Sequence, residues 1–96
     1  MKMHNPPHPG EFIQEIFLEP NNLSLRMVAA KLKVSTSTLS RLVNGQSSVT
    51  SEMALRLSKT LGRSPESWLI MQNNYDLWQA QKRVNLQEVE KLTLSG

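Results

Sequence analysis

Residues 24–45, SLRMVAAKLKVSTSTLSRLVNG, decide the fold. Ser24 is a good N-cap, and Leu25, Val28, Ala29 and Leu32 follow it at the spacing of one apolar helical face. Lys33 and Val34 interrupt that pattern, and Ser35 at once offers a second N-cap, so one helix must stop and another start within a turn of three or so residues. In the second helix only Leu39, Leu42 and Val43 are apolar, whereas Thr36, Ser37, Thr38, Ser40, Arg41 and Asn44 are polar and mostly small. One face packs and the other is free to touch something. Gly45 stands where a left-handed C-terminal cap is needed. Two short capped helices joined by a tight turn predict a helix-turn-helix. The alternative on pattern alone is an ordinary antiparallel helical hairpin in an all-α domain.

The chemistry suits DNA. A recognition helix enters a major groove ~12 Å wide, which favours short side chains near its start and donors and acceptors matched to base edges. Ser35, Thr36, Ser37, Ser40 and Arg41 meet that requirement, and Ala29 is small where the two helices cross.

Charge points the same way. The 96-residue chain carries a net charge of only +3, but residues 21–63 hold Arg26, Lys31, Lys33, Arg41, Arg56, Lys59 and Arg63 against Glu52 alone, a local +6. The first 20 residues sum to −2 and residues 64–96 to −1. An excess confined to the helix-turn-helix and the helix after it is the electrostatic footprint of a phosphate-binding face. A solvated basic surface with no partner is the plainer reading of the same charges.

Ninety-six residues make one domain with a modest core. With no cysteine there is neither a disulfide frame nor a thiolate ligand, which is compatible with a reducing cytoplasm. The longest apolar runs, Met27 to Ala30 and Trp68 to Met71, are only four residues each, so neither a membrane span nor a secretion signal is expected.

Outward from the centre, Pro6 and Pro7 predict a flexible or extended lead over residues 1–7. Pro9 opens a first helix running to about Leu18, with Phe12, Ile13, Ile16 and Phe17 as its core face. His4 and His8 would share a face only in a helix that the prolines oppose, and no further ligands accompany them, so no metal site is expected. After Gly45, Gln46-Ser47-Ser48-Val49 reads as a polar loop; such a loop either follows the DNA backbone or merely connects. Thr50 caps a fourth helix with Met53, Ala54, Leu57 and Leu61 buried and Leu55 to the side. Ser64 and Pro65 start a fifth, long for so small a core.

These pieces, in order and at these spacings, resemble the HigA antitoxin family, also called VapA or VapI, within the phage-repressor-like helix-turn-helix proteins. The resemblance rests on His8-Pro9-Gly10-Glu11, on Val34-Ser35 with Leu39-Ser40-Arg41-Leu42 and Asn44-Gly45, on Thr50 with Met53-Ala54-Leu55-Arg56-Leu57, and on Ser64-Pro65-Glu66, Trp68-Leu69 and Asn74-Tyr75-Asp76-Leu77. It extends from His8 to about Leu77. Lys33 departs from it, since many relatives have glycine there; either the turn forms without a positive φ, or the lysine is strained.

The resemblance implies an all-α, five-helix phage-repressor-like DNA-binding domain over residues 8–78 with a long C-terminal helix, followed by a dimerisation or lid segment over 79–96. It further implies an antitoxin that dimerises on operator DNA, represses its own operon, and silences a small ribosome-dependent ribonuclease toxin of the HigB type, in the cytoplasm and without a cofactor. Carried over by position, Thr36, Ser37, Ser40 and Arg41 face bases. Ser35, Asn44 (through its backbone N–H) and Gln46 face phosphates, while Arg26 and Lys31 add attraction.

A homodimer interface is expected at Trp68, Leu69, Leu77 and Trp78, because the C-terminal third, with Met71, Val84, Leu86, Val89 and Leu92, holds more large apolar side chains than the core needs. The alternative is a tail folded back over its own domain. An enzyme is not expected, as the chain lacks a glycine-rich phosphate loop and any histidine paired with a carboxylate in a pocket-forming region. A phage-repressor-like regulator with no toxin partner shares every DNA-binding feature, and a pure interaction adaptor would use the same helices without DNA.

Overall fold

Each serine or threonine that the sequence marks as a cap starts a helix in the computed structural model, which describes residues 5–94. The side-chain oxygens of Ser24, Ser35, Thr50 and Ser64 accept from the backbone N–H of Met27, Thr38, Met53 and Ser67 at 3.0–3.1 Å. A cap of this kind stabilises its helix by ~1 kcal/mol. The helices are α1 (Pro9–Phe12), α2 (Leu25–Leu32), α3 (Thr36–Val43), α4 (Ser51–Leu61) and α5 (Pro65–Arg83). No strand occurs among the described residues. The core is built from Ile13, Leu18, Val28, Ala29, Leu32, Leu39, Leu42, Val49, Ala54, Leu57 and Trp68.

The first helix departs from expectation. After Phe12 it continues as a π-helical segment, Ile13–Leu18, in which the Glu19 N–H donates to the Gln14 carbonyl at 3.0 Å. In this wider winding residues five apart share a face. Ile13 and Leu18 are therefore both buried, and Ile16, expected in the core, is 51% exposed. Ahead of it, Asn5, Pro6 and Pro7 are non-helical, and His8 is the N-cap: its Nδ1 accepts the Gly10 N–H at 2.9 Å. His4 lies outside the described residues. Gly10 has a packing reason, because a Cβ there would stand 1.9 Å from the Leu42 carbonyl oxygen. Thus α1 rests backbone to backbone on the C-terminal end of α3.

Both helices of the central unit end in the same way. At α2 the Lys33 N–H donates to Ala30 and the Val34 N–H to Ala29; at α3 the Gly45 N–H donates to Leu42 and the Gln46 N–H to Arg41. These are paired Schellman bonds, and each needs a left-handed residue. Gly45 supplies one at φ +75°, while Lys33 takes the other at φ +62°, so of the two alternatives for this turn the strained lysine is the one adopted.

α5 runs unbroken through Trp78 to Arg83. Beyond it come a short 3-10 turn, Leu86–Glu88, and an extended tail, and every residue from 81 to 94 is exposed. The tail does not fold back as a lid. With α5 and the tail projecting, the molecule measures 57 × 25 × 24 Å.

Candidate nucleic-acid interface

The reading face is set by which side of α3 the core consumes. Leu39 and Leu42 are buried, and residues 36, 37, 40 and 41, on the opposite side of a 3.6-residue helix, are left outward. Thr36, Ser37 and Arg41 are exposed and Ser40 is half-buried. Arg41 enters no ion pair among the described residues, where the single salt bridge is Glu52–Arg56 at 2.8 Å. Its guanidinium keeps all its donors for an incoming acceptor.

The residues expected at phosphates are distributed differently. Ser35 is exposed, but its hydroxyl is engaged: it accepts from Thr38 N–H and donates to Thr38 Oγ1 at 2.8 Å. The backbone N–H of Asn44, expected to meet phosphate, is held by the Ser40 carbonyl at 3.0 Å, and its side-chain amide donates to the same carbonyl at 2.9 Å. Asn44 therefore closes the end of α3, and its backbone has no donor to spare. Gln46 is exposed. In the loop it begins, the N–H groups of Ser47 and Ser48 have no acceptor among the described residues, whereas Val49 N–H donates to Gln72 Oε1 at 2.8 Å. Arg26 is exposed on the first turn of α2, and Lys31 lines a groove between α2 and α4 with Met27, Lys59 and Leu61.

The basic block is thereby divided. Arg56 donates to the Leu32 carbonyl and to Glu52, and the Arg63 guanidinium lies 5.0 Å from the Phe12 ring centroid and 5.8 Å from that of Trp68. Both hold the fold together. Arg26, Lys31, Lys33, Arg41 and Lys59 are exposed charge with no such contact, and Arg63, though over the rings, is exposed as well.

Two buried polar residues lie against the loop: Gln72, given no role by the sequence, and His8, weighed there only as a metal ligand. Gln72 receives Val49 N–H and passes its own Nε2–H to Asp76 at 3.0 Å. The His8 ring makes an edge contact with Tyr75, centroids 4.9 Å apart, and lies beneath Gly45. Burial lowers the His8 pKa below 6.5, opposed by a hydrogen bond to the Ser47 backbone and by the Asp76 and Glu11 carboxylates.

Of the residues expected at a dimer interface, Trp68 is fully buried in its own core and donates Nε1–H to the Gly62 carbonyl at 2.9 Å, so it is a core residue. Leu69 is half-buried against the same core. Leu77 is 54% exposed, and Trp78 lies under the Lys82 ammonium at 4.0 Å. Ile70, Val84, Leu86, Val89, Leu92 and Leu94 add further exposed apolar surface.

The helix-turn-helix family model matches residues 13–68, more than half of the chain. A helix-turn-helix transcriptional regulator of Escherichia coli strain K12, YddM, is 44% identical over 92 residues, 96% of this chain and 97% of its own. Antitoxin HigA-1 of Vibrio cholerae is 36% identical over 74 residues, 77% of this chain and 70% of its own. Among solved structures, antitoxin GraA in complex with its operator superposes with a TM-score of 0.86 at 32% identity, covering 98% of both chains. With these two capped helices, this outward polar face and these relatives, the chain belongs to the HigA family of helix-turn-helix antitoxins.

Proposed function

We propose that the chain is the antitoxin of a two-gene toxin–antitoxin module, binding an operator in its own promoter, repressing that operon, and neutralising a HigB-like ribonuclease toxin in the cytoplasm. The observation that carries the DNA half is the outward face of α3: Thr36, Ser37, Ser40 and an unpaired Arg41, backed by buried Leu39 and Leu42, in a chain similar along 98% of its length to an antitoxin solved on its operator. Thr36, Ser37, Ser40 and Arg41 read base edges, with Arg41 suited to a bidentate pair with guanine. Ser35, Gln46 and the free N–H groups of residues 47 and 48 meet phosphate, and Arg26 and Lys31 add long-range attraction.

A single recognition helix covers few base pairs, so two copies act together, their helices ~34 Å apart on one face of the duplex. Leu77 and Trp78, with the apolar side chains beyond them, form the pairing surface. The toxin half is supported by membership of the family, whose members are antitoxins. Nothing in this reading involves catalysis by the chain itself.

The test is fluorescence anisotropy on a fragment of its own promoter against random DNA, together with co-purification of the product of the adjacent reading frame. Specific binding and capture of a small basic partner support the reading. Equal affinity for both DNAs would remove the operator, and specific DNA binding with no captured partner would leave a regulator without a toxin.

A further inference from the structure

We propose that Gln72 is a positioning residue for DNA binding: its buried amide, oriented by Asp76, fixes the loop after α3 so that the backbone N–H groups of Ser47 and Ser48 meet phosphate. The inference rests on the operator reading above and adds to it two residues of α5, outside the helix-turn-helix. The loop is short and pinned at both ends. At its start the Gln46 N–H donates to the Arg41 carbonyl at 2.8 Å, which ties it to the last turn of α3. At its end Val49 is buried, and its N–H donates to Gln72 Oε1 at 2.8 Å. Thr50 follows at once as the N-cap of α4. Only Ser47 and Ser48 lie between the two anchors, and their N–H groups have no acceptor among the described residues. Main-chain donors left over on such a loop are what DNA phosphate oxygens take.

The anchor at Val49 is directional. Gln72 is 5% exposed, and an apolar side chain in its place would leave the buried Val49 N–H without a partner. A side-chain amide carries an acceptor on one side and donors on the other. Asp76, one turn further along α5 and exposed, accepts from Gln72 Nε2 at 3.0 Å, and a carboxylate offers no donor in return. Asp76 therefore turns the amide oxygen towards Val49. Reversed, the amide would set donor against donor at Val49 and lose both bonds. With Val49 held, Ser47 and Ser48 are ordered before DNA arrives, and a phosphate contact does not bear the entropic cost of ordering them.

The full chain tests this with and without DNA. In the free protein, Gln72→Met, which removes the acceptor but not the bulk, should speed amide hydrogen exchange at Val49 about tenfold relative to Leu57, a buried α4 residue that reports overall stability. Asp76→Ala, at an exposed position, should move Val49 in the same direction, and serves if Gln72→Met does not fold. On the promoter site, Gln72→Met should weaken binding about tenfold. The phosphates of that site are then replaced singly by neutral methylphosphonates. The penalty that wild type shows at a phosphate held by the loop is expected to vanish in Gln72→Met, while penalties elsewhere persist. A Gln72 that only stabilises the fold would lower affinity and leave the pattern of penalties as it is. An unchanged pattern overturns the proposal, as does Val49 exchange that neither variant alters. Absence of operator binding by the wild type, with Val49 exchange responding as expected, would count against the proposed function alone.

Discussion

The Arg56 guanidinium reaches from α4 to the carbonyl of Leu32, the last residue of α2, at 2.9 Å, while Glu52 on its own helix holds its Nε and Nη2 at 3.1 and 2.8 Å. Helix ends leave carbonyls without partners, and here a side chain from another helix supplies the missing donor. The end of the first helix of the DNA-binding unit is thereby tied to α4. Arg56→Leu should destabilise the fold by ~1–3 kcal/mol, the range for a charged hydrogen bond to a carbonyl, as measured by urea melting. Retention of full stability would reduce this contact to a surface pair.

Lys33 occupies a left-handed position that glycine takes without strain. The cost to an L-residue is ~1–2 kcal/mol, part of which glycine returns through the greater freedom of the unfolded chain. Lys33→Gly is expected to raise stability by ~0.5–1 kcal/mol in the same assay. A lower melting midpoint would mean that the lysine side chain makes a contribution larger than its backbone strain.

For the reading face, Arg41→Ala should cost ~1–3 kcal/mol on the specific site and much less on random DNA. Equal losses on both would make Arg41 a phosphate contact. In salt titrations each phosphate neutralised contributes a slope of ~−0.9; Arg26→Gln and Lys31→Gln flatten the line if those residues touch the backbone, and an unchanged slope places the residue outside the interface.

Stability should depend on pH through His8. Its pKa is lowered in the fold, so the unfolded chain takes up a proton first as pH falls. The contribution is full above about pH 6.5, the ordinary histidine value, and is lost as pH drops through the depressed folded value. Thermal melts from pH 8 to 5 should show a decline below 6.5 that His8→Asn diminishes. An identical decline in that variant would assign the effect to other groups.

Deleting residues 84–94 and replacing Leu77, 54% exposed on α5, with Ser should convert a dimer into a monomer by light scattering at micromolar concentration. The reason is the number of exposed large apolar side chains between Leu77 and Leu94, namely Leu77, Val84, Leu86, Val89, Leu92 and Leu94. A wild-type mass of one chain, unaltered by these changes, would exclude pairing through this segment.

Local signals determined much of this protein. A cap is a contact between residues three apart, so Ser24, Ser35, Thr50 and Ser64 announced their helices correctly, and 3.6-residue periodicity assigned Leu39 and Leu42 inward and Thr36, Ser37 and Arg41 outward. Tertiary structure decided what depends on partners distant in the chain. Trp68, on α5, belongs to the core because α1 and the π-helical segment after it bring Phe12 and Phe17 against its ring. Ile16 faces solvent because π winding changes the period that sequence reading assumes. Arg56 and Arg63, counted with the phosphate-binding charge, are committed to a helix end and to aromatic rings. His8 and Gln72 support the loop after the recognition helix from 37 and 23 positions away respectively, through contacts that no local spacing encodes, because they exist only once α1 and α5 pack against its inner side.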